Sequence, residues 1–233
     1  MGDRQQHGLR ALQLPGNITY SFIPHTPYSQ SLATAAHHLG KEVMIHIPME
    51  SESGKKLGDG GLRLAMEEPE FKQTLKTAIG AIPYARGVNN HMGSLLTRQP
   101  NQMQWLMDIL HENNQLYFID SRTTPKTVAL QLAQKNHIPS RQRDIFLDND
   151  PSPAAIAQQF QRLVAHAKKT GSAIAIGHPY DTTLGLLEQQ LPQLKTLGLR
   201  LVPVSELLNH HKGLKQAQST TNRPHITHHH LTQ

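Results

Sequence analysis

Residues 43–50 read VMIHIPME, and three further stretches follow the same plan: GVNNHMGS at 87–94, YFIDSR at 117–122 and AIAIGHP at 173–179. Each is an apolar, strand-like run that ends in side chains able to bind a metal or move a proton. One such run says little about a fold. Four of them, separated by segments with helical signals, point to parallel strands that deliver their polar ends to one common edge. In parallel α/β folds that carboxyl edge is where ligands bind.

Working outward, ITYSFI (18–23) lies between Pro15-Gly16 and Pro24 and reads as a buried strand. A helix over 28–39 stops at Gly40, and KEVMIHI forms the next strand. Residues 51–61 (SESGKKLGDGG) are a polar, Gly-rich loop, followed by a helix in EEPEFKQTLKTAI with Pro69 in its first turn. Met103, Leu106, Met107 and Leu110 recur at helical spacing after Pro100, giving a helix over 100–113. Strand LYFID, a helix over 125–137 and strand DIFLD (144–148) come next. Ser152 and Pro153 open a helix with Ile156, Phe160, Leu163 and Val164 on one face, closed by Gly171. Strand SAIAIG, a helix over 182–197, strand LRLVP and a short helix SELLNH complete an alternating, mainly parallel α/β pattern.

The chain has 233 residues, enough for one sizeable domain, which we place at 1–211. Residues 212–233 carry almost no apolar side chains and are expected to be a disordered polar tail, with His228, His229 and His230 as a solvated run. The net charge is +6, but the basic residues are scattered and aromatics make up only 5%, which argues against nucleic-acid binding. With no cysteine, thiolate sites and disulfides are excluded, and the 16 histidines become the main candidates for metal ligands. No stretch reaches the roughly 20 apolar residues of a membrane span. MGDRQQHGLRALQL lacks the apolar region of a signal peptide, so the chain as written is expected to stay cytoplasmic.

Each cluster carries a chemical and a structural reading. If Pro48 begins a helical turn, His46 and Glu50 converge as an imidazole and a carboxylate suited to a divalent ion; otherwise His46 bonds the backbone and Glu50 lies in a solvated loop. Asn89 and Asn90 beside His91 offer donors for an oxyanion or a sugar hydroxyl next to a ligand, or else form a tight Asn turn. Asp120 ends an apolar run that favours a raised pKa, with Ser121 and Arg122 beside it as substrate contacts, or as a helix cap and an ion-pair partner. His178, after a buried strand and Gly177, suits general acid or base work. Asp144, Asp148 and Asn149 are weaker, because Asp148-Asn149-Asp150 before Pro151 is also an ordinary turn. No phosphate-binding glycine loop and no G-x-S-x-G elbow is present, which leaves metal-assisted hydrolysis as the chemistry these residues support.

Taken together, PGNITYSFIPHTP, GKEVMIHIPMES, GVNNHMGSLLT, YFIDSRT, RDIFLDND, AIAIGHPY and LVPVSELL resemble the divergent polysaccharide deacetylases of bacteria, over the chain up to about residue 209. The resemblance implies a distorted (β/α) barrel and a divalent metal, zinc, that activates water against the N-acetyl group of a glycan substrate. It also implies roles. His46 and His91 would be metal ligands, Glu50 would stand where the wider superfamily has its second histidine, Asp120 would be catalytic, and His178 would be the acid. Asn89, Asn90, Ser121 and Arg122 would contact substrate.

The family usually opens with an apolar strand ending in Asp-Asp, and Asp3 has no such strand before it. Either the chain is a truncated version of a longer product or the protein lacks its base and one ligand, and the chain as given is expected to be less active and less stable than a version extended upstream. Family likeness points to the periplasm or cell envelope. Two other readings stay open: a non-catalytic envelope or glycan-binding protein on the same barrel, and a metal phosphoesterase using Arg122 and Arg86.

Overall fold

A computed structural model describes residues 3–113 and 116–209, so the expected tail at 212–233 lies outside the described residues. Strands β1 (Thr19–Phe22), β2 (Glu42–Met49), β3 (Ala85–Met92), β4 (Tyr117–Asp120) and β5 (Ser140–Gln142) form one parallel sheet in that spatial order. Strands β6 (Ile145–Phe146) and β7 (Ala175–Ile176) pair in parallel as a second. Spatial order that follows chain order without reversal is the winding of a barrel; a doubly wound sheet reverses at its switch point. The Arg143 N to Asp120 O bond extends the β4–β5 ladder and the Ile145 N to Ile174 O bond extends the β6–β7 ladder, so Arg143 and Asp144 carry the chain directly from one sheet to the other.

Helices α1 (Asp3–Leu12), α2 (Ser29–His38), α3 (Glu68–Gly80), α4 (Pro100–Glu112), α5 (Ala129–Lys135), α6 (Pro153–Thr170) and α7 (Asp181–Gln190) surround the strands. Helix α1 was not foreseen; Leu12 enters the core, and Arg10 ties the helix to α7 through Asp181 and Glu188 at 2.6 and 2.8 Å. Helix α6 begins and ends as expected, with Ser152 Oγ accepting from Ala155 N and Gly171 at φ 85°. Helix α5 is shorter than 125–137 because Thr127 and Val128 are bonded elsewhere: Thr127 Oγ1 donates to Asp120, and Val128 N donates to Thr97 O. Helix α7 gives way to a 3-10 turn at Leu191–Gln193, where Pro192 cannot continue an α-helix.

Alternation along the strands decides which side chains face the barrel interior. Val43, Ile45, Ile47 and Met49 of β2 join Phe71, Leu75 and Leu106 in the large core between sheet and helices. Met44 lies on the other face, in an interior cluster with Tyr117, Ile119, Ile174 and Leu208. His46 shares the parity of Met44 and faces inward.

The expected strand LRLVP does not form; residues 199–203 run without ladder bonds, and a helical segment follows over 204–209. Side chains of the first two strands hold this stretch instead, with Val204 N donating to Thr19 Oγ1 at 3.0 Å and Ser205 N to Glu42 Oε1 at 3.2 Å. Between β1 and β7 lies a cavity of about 530 Å³ lined by Ile18, Thr19, Ile174, Ala175, Leu199 and Leu201. The described residues therefore form an open barrel.

Candidate active site at the strand ends

Inward-facing positions near the carboxyl ends of β2 and β3 bring His46, Asn89 and His91 together. Register pairs His46 with Asn89 and Pro48 with His91, so the two imidazoles lie on adjacent strands, their ring centroids 4.9 Å apart. Asn89 is buried, and its Oδ1 accepts from Ser21 Oγ at 2.7 Å and from His46 Nδ1 at 2.8 Å, while its Nδ2 donates to Ser121 Oγ. An amide oxygen only accepts, so the His46 proton sits on Nδ1 and the Nε2 lone pair is left to accept a hydrogen bond, here from His91 Nδ1, or to ligate a metal. That lone pair faces His91 Nδ1 at 3.2 Å.

Burial, more than the nearby His91, pushes the His46 pKa down to about 3. Burial also lowers that of His91, with His178 contributing. Both rings are thus held neutral, the form that ligates metals. The spacing suits the zinc that the resemblance implies. Two nitrogens each about 2.0–2.1 Å from a tetrahedral ion stand about 3.3 Å apart, close to the 3.2 Å between His46 Nε2 and His91 Nδ1. The pair fits two positions of one ion. Among the described residues no group of three His, Cys, Asp or Glu side chains converges.

His178, whose charge is felt by both imidazoles, is the second centre. Its Nδ1 lies 2.9 Å from Asp148 Oδ1, and its backbone N–H donates to Oδ2 of the same carboxylate. Thr183 Oγ1 adds a third bond to Asp148 at 2.9 Å. Although burial alone would raise its pKa, these bonds and the His178 charge hold Asp148 below the usual carboxylate range. The carboxylate fixes the His178 proton on Nδ1 and leaves Nε2 for chemistry. The rings of Phe146 and Tyr180 flank the imidazole at 5.7 and 5.5 Å.

The structure does not bring Glu50 or Asp120 into this constellation. Pro48 continues β2 instead of starting a helical turn, and Glu50 Oε2 accepts from Leu64 N at 2.7 Å, pinning the following loop. Asp120 shares the parity of Phe118, which points to the helices, and its carboxylate accepts from Arg122 N and Thr127 Oγ1, both at 2.8 Å. Asn90 likewise faces away, joining the exits of β3 and β4 through Met92 O and Ser121 N. Ser121 supports Asn89, and Arg122 stands just past β4 in the left-handed region at φ 49°. Arg86 lies exposed at the opposite end of β3. Sequence reasoning underrated Asp148 and missed Arg143, Phe146 and Tyr180. Only the Asp at the end of DIFLD signalled any of them.

A mostly parallel α/β barrel with histidines gathered at its strand ends is the class of scaffold that the fold and the site define. The profile of the divergent polysaccharide deacetylase family matches residues 1–208, and the chain belongs to that family. It is 38% identical over 208 residues to the uncharacterized protein YibQ of Escherichia coli K12, covering 89% of this chain and 65% of that protein. The chain thus spans about two thirds of that relative's length. It is also 38% identical over 199 residues to an uncharacterized protein of Haemophilus influenzae, covering 85% of this chain and 70% of that one. An uncharacterized protein of Agrobacterium tumefaciens has a similar crystal structure, with a TM-score of 0.83 at 21% identity over 87% of this chain and 83% of that one. A lactam utilization protein from Thermus thermophilus shares the fold more distantly, with a TM-score of 0.56 at 16% identity over 87% and 92% of the two chains. Among the described residues no helix is long and apolar enough to cross a membrane.

Proposed function

We propose that the chain is a metal-dependent hydrolase that removes acetyl groups from an N-acetylated glycan of the cell envelope. The observation that carries this reading is a pair of neighbouring centres: neutral His46 and His91 at ligand spacing, and the Asp148–His178 dyad, whose histidine influences both imidazoles. A zinc ion held by His46 Nε2 and His91 would polarise the acetamide carbonyl and acidify a water.

The remaining steps belong to the protein. Among the described residues no carboxylate joins the two histidines, so the open Nε2 of His178 is the base available. It takes a proton from water as the oxygen attacks the carbonyl carbon, and Asp148 stabilises the imidazolium that forms. As the carbon–nitrogen bond breaks, His178 Nε2–H gives the proton to the departing sugar amine, leaving acetate and a free amino sugar. Phe146 and Tyr180 shield the imidazole and limit competing water. Asn89 holds His46 in the tautomer that presents its lone pair.

Acetate release from a chitin oligomer, measured with zinc-loaded protein, tests the reading. Release that disappears in His178→Ala supports it; no release by the zinc-loaded chain from any N-acetylated glycan favours a glycan-binding protein on the same scaffold.

A further inference from the structure

Between β4 and β6, at the same strand-end edge, two arginines gather without a carboxylate partner. Arg143 Nε donates to Ser121 O at 2.7 Å and its Nη2 to Arg122 O at 2.9 Å, so backbone carbonyls fix the guanidinium. Its Cζ lies 5.0 Å from the centre of the Phe146 ring, and that ring is 5.7 Å from the His178 imidazole. The nearby acids are committed elsewhere. Asp144 pairs with Arg141 at 3.3 Å and also lies 3.5 Å from His166. Asp120 accepts from the Arg122 backbone and from Thr127. Among the described residues neither Arg122 nor Arg143 forms an ion pair, and the half-buried Arg143 guanidinium feels the charge of Arg122, offset in part by the charges of Asp120 and Asp144. Like charges left together beside a reactive histidine are costly unless an anion joins them.

We infer that Arg122 and Arg143 form an anion subsite next to His178, so that the substrate is an N-acetylated amino sugar carrying an acidic group, a carboxylate or a phosphate. This rests on the glycan reading above and narrows it. A planar guanidinium fixed by two backbone carbonyls beside an aromatic ring presents its remaining N–H groups to a bidentate oxyanion, and the half-exposed Tyr180 ring, 5.5 Å from His178, offers the sugar an apolar face. The acidic substituent would then fix which way the acetamide faces the histidines.

Equilibrium titration of the full chain at low ionic strength with three sugars tests the inference. N-acetylglucosamine is the neutral reference, N-acetylmuramic acid adds a lactyl carboxylate, and N-acetylglucosamine 6-phosphate adds a phosphate. At least one acidic sugar should bind about tenfold more tightly than the neutral one, with the preference shrinking as salt is added. Which of the two gains identifies the acid. Arg122→Gln, whose side chain holds no ion pair among the described residues, should remove most of the preference, bringing the acidic sugars close to the affinity of the neutral one. Arg143→Gln should do the same, with circular dichroism verifying that its fold is intact. Equal affinities for all three sugars, or a preference that survives both substitutions, would overturn the subsite while leaving the glycan reading standing. Binding of none of them would overturn both.

Discussion

Asn89 decides the chemistry of His46. By accepting the Nδ1 hydrogen bond at 2.8 Å it leaves Nε2 facing His91 Nδ1 at 3.2 Å, so a buried amide with no charge of its own sets the direction of the imidazole pair. Replacing that amide by a carboxylate in Asn89→Asp keeps the acceptor and adds a negative charge. The His46 pKa, held at about 3 mainly by burial, should then rise by more than a unit. Histidine ring resonances followed by NMR through a pH titration report it directly, and an unmoved His46 would mean that Asn89 does not control this ring.

Glu50 separates a structural carboxylate from a ligand. Its bond to Leu64 N holds the loop after β2, so Glu50→Gln should cost about 1 kcal/mol and lower Tm by about 2–4 °C. Zinc stoichiometry should stay at the wild-type value. Loss of zinc in this variant would restore Glu50 to the ligand set.

Asp148→Asn keeps the shape of the dyad and removes its charge. With His178 free to adopt the other tautomer, acetate release should fall about 10²–10⁴-fold, with little change in substrate affinity. Thr183→Val, which removes only the third bond to Asp148, should give a smaller loss. Equal rates in the wild type and both variants would exclude His178 as the proton carrier.

Stability should fall in acid for two separate reasons. Below about 6.5, the ordinary histidine pKa, the unfolded chain protonates His46 while the folded chain does not until about pH 3. Over that window the unfolded state holds the extra proton, so stability declines as pH drops, by up to about 1.4 kcal/mol per unit. Asp148 acts in the same direction lower down: its depressed folded pKa gives stability that is present above the usual carboxylate pKa and is lost as pH falls through the folded value. Denaturation midpoints between pH 7 and 4 should decrease steadily, and His46→Gln should flatten the upper part of that decline. A flat wild-type profile would contradict the buried, neutral His46.

The sequence made the barrel and half of its site legible because β2 and β3 alternate. With Val43, Ile45, Ile47 and Val88 in the core between sheet and helices, period two turns His46, Asn89 and His91 inward. Strand β4 offers no such guide: Tyr117, Phe118 and Ile119 are apolar on both faces of a buried parallel sheet. The outward parity of Asp120 therefore became visible only when Phe118 was seen against the helices. Glu50 would converge with His46 only if Pro48 turned the chain, and β2 instead runs on to Met49. The Asp148–His178 pair spans 30 residues and depends on β6 lying next to β7, a pairing that local pattern does not encode. Arg143 sits in the polar run SRQRD, where nothing in the sequence distinguishes one arginine from another.

Whether His46 and His91 hold a metal is answered by a zinc titration of the purified chain, with His228, His229 and His230 replaced by alanine so that the terminal run cannot bind the ion. About one zinc should bind per chain, lost in His46→Ala and in His91→Ala but kept in Glu50→Gln. Zinc bound equally well without His46 and His91, or not at all with both present, would contradict the proposed metal centre.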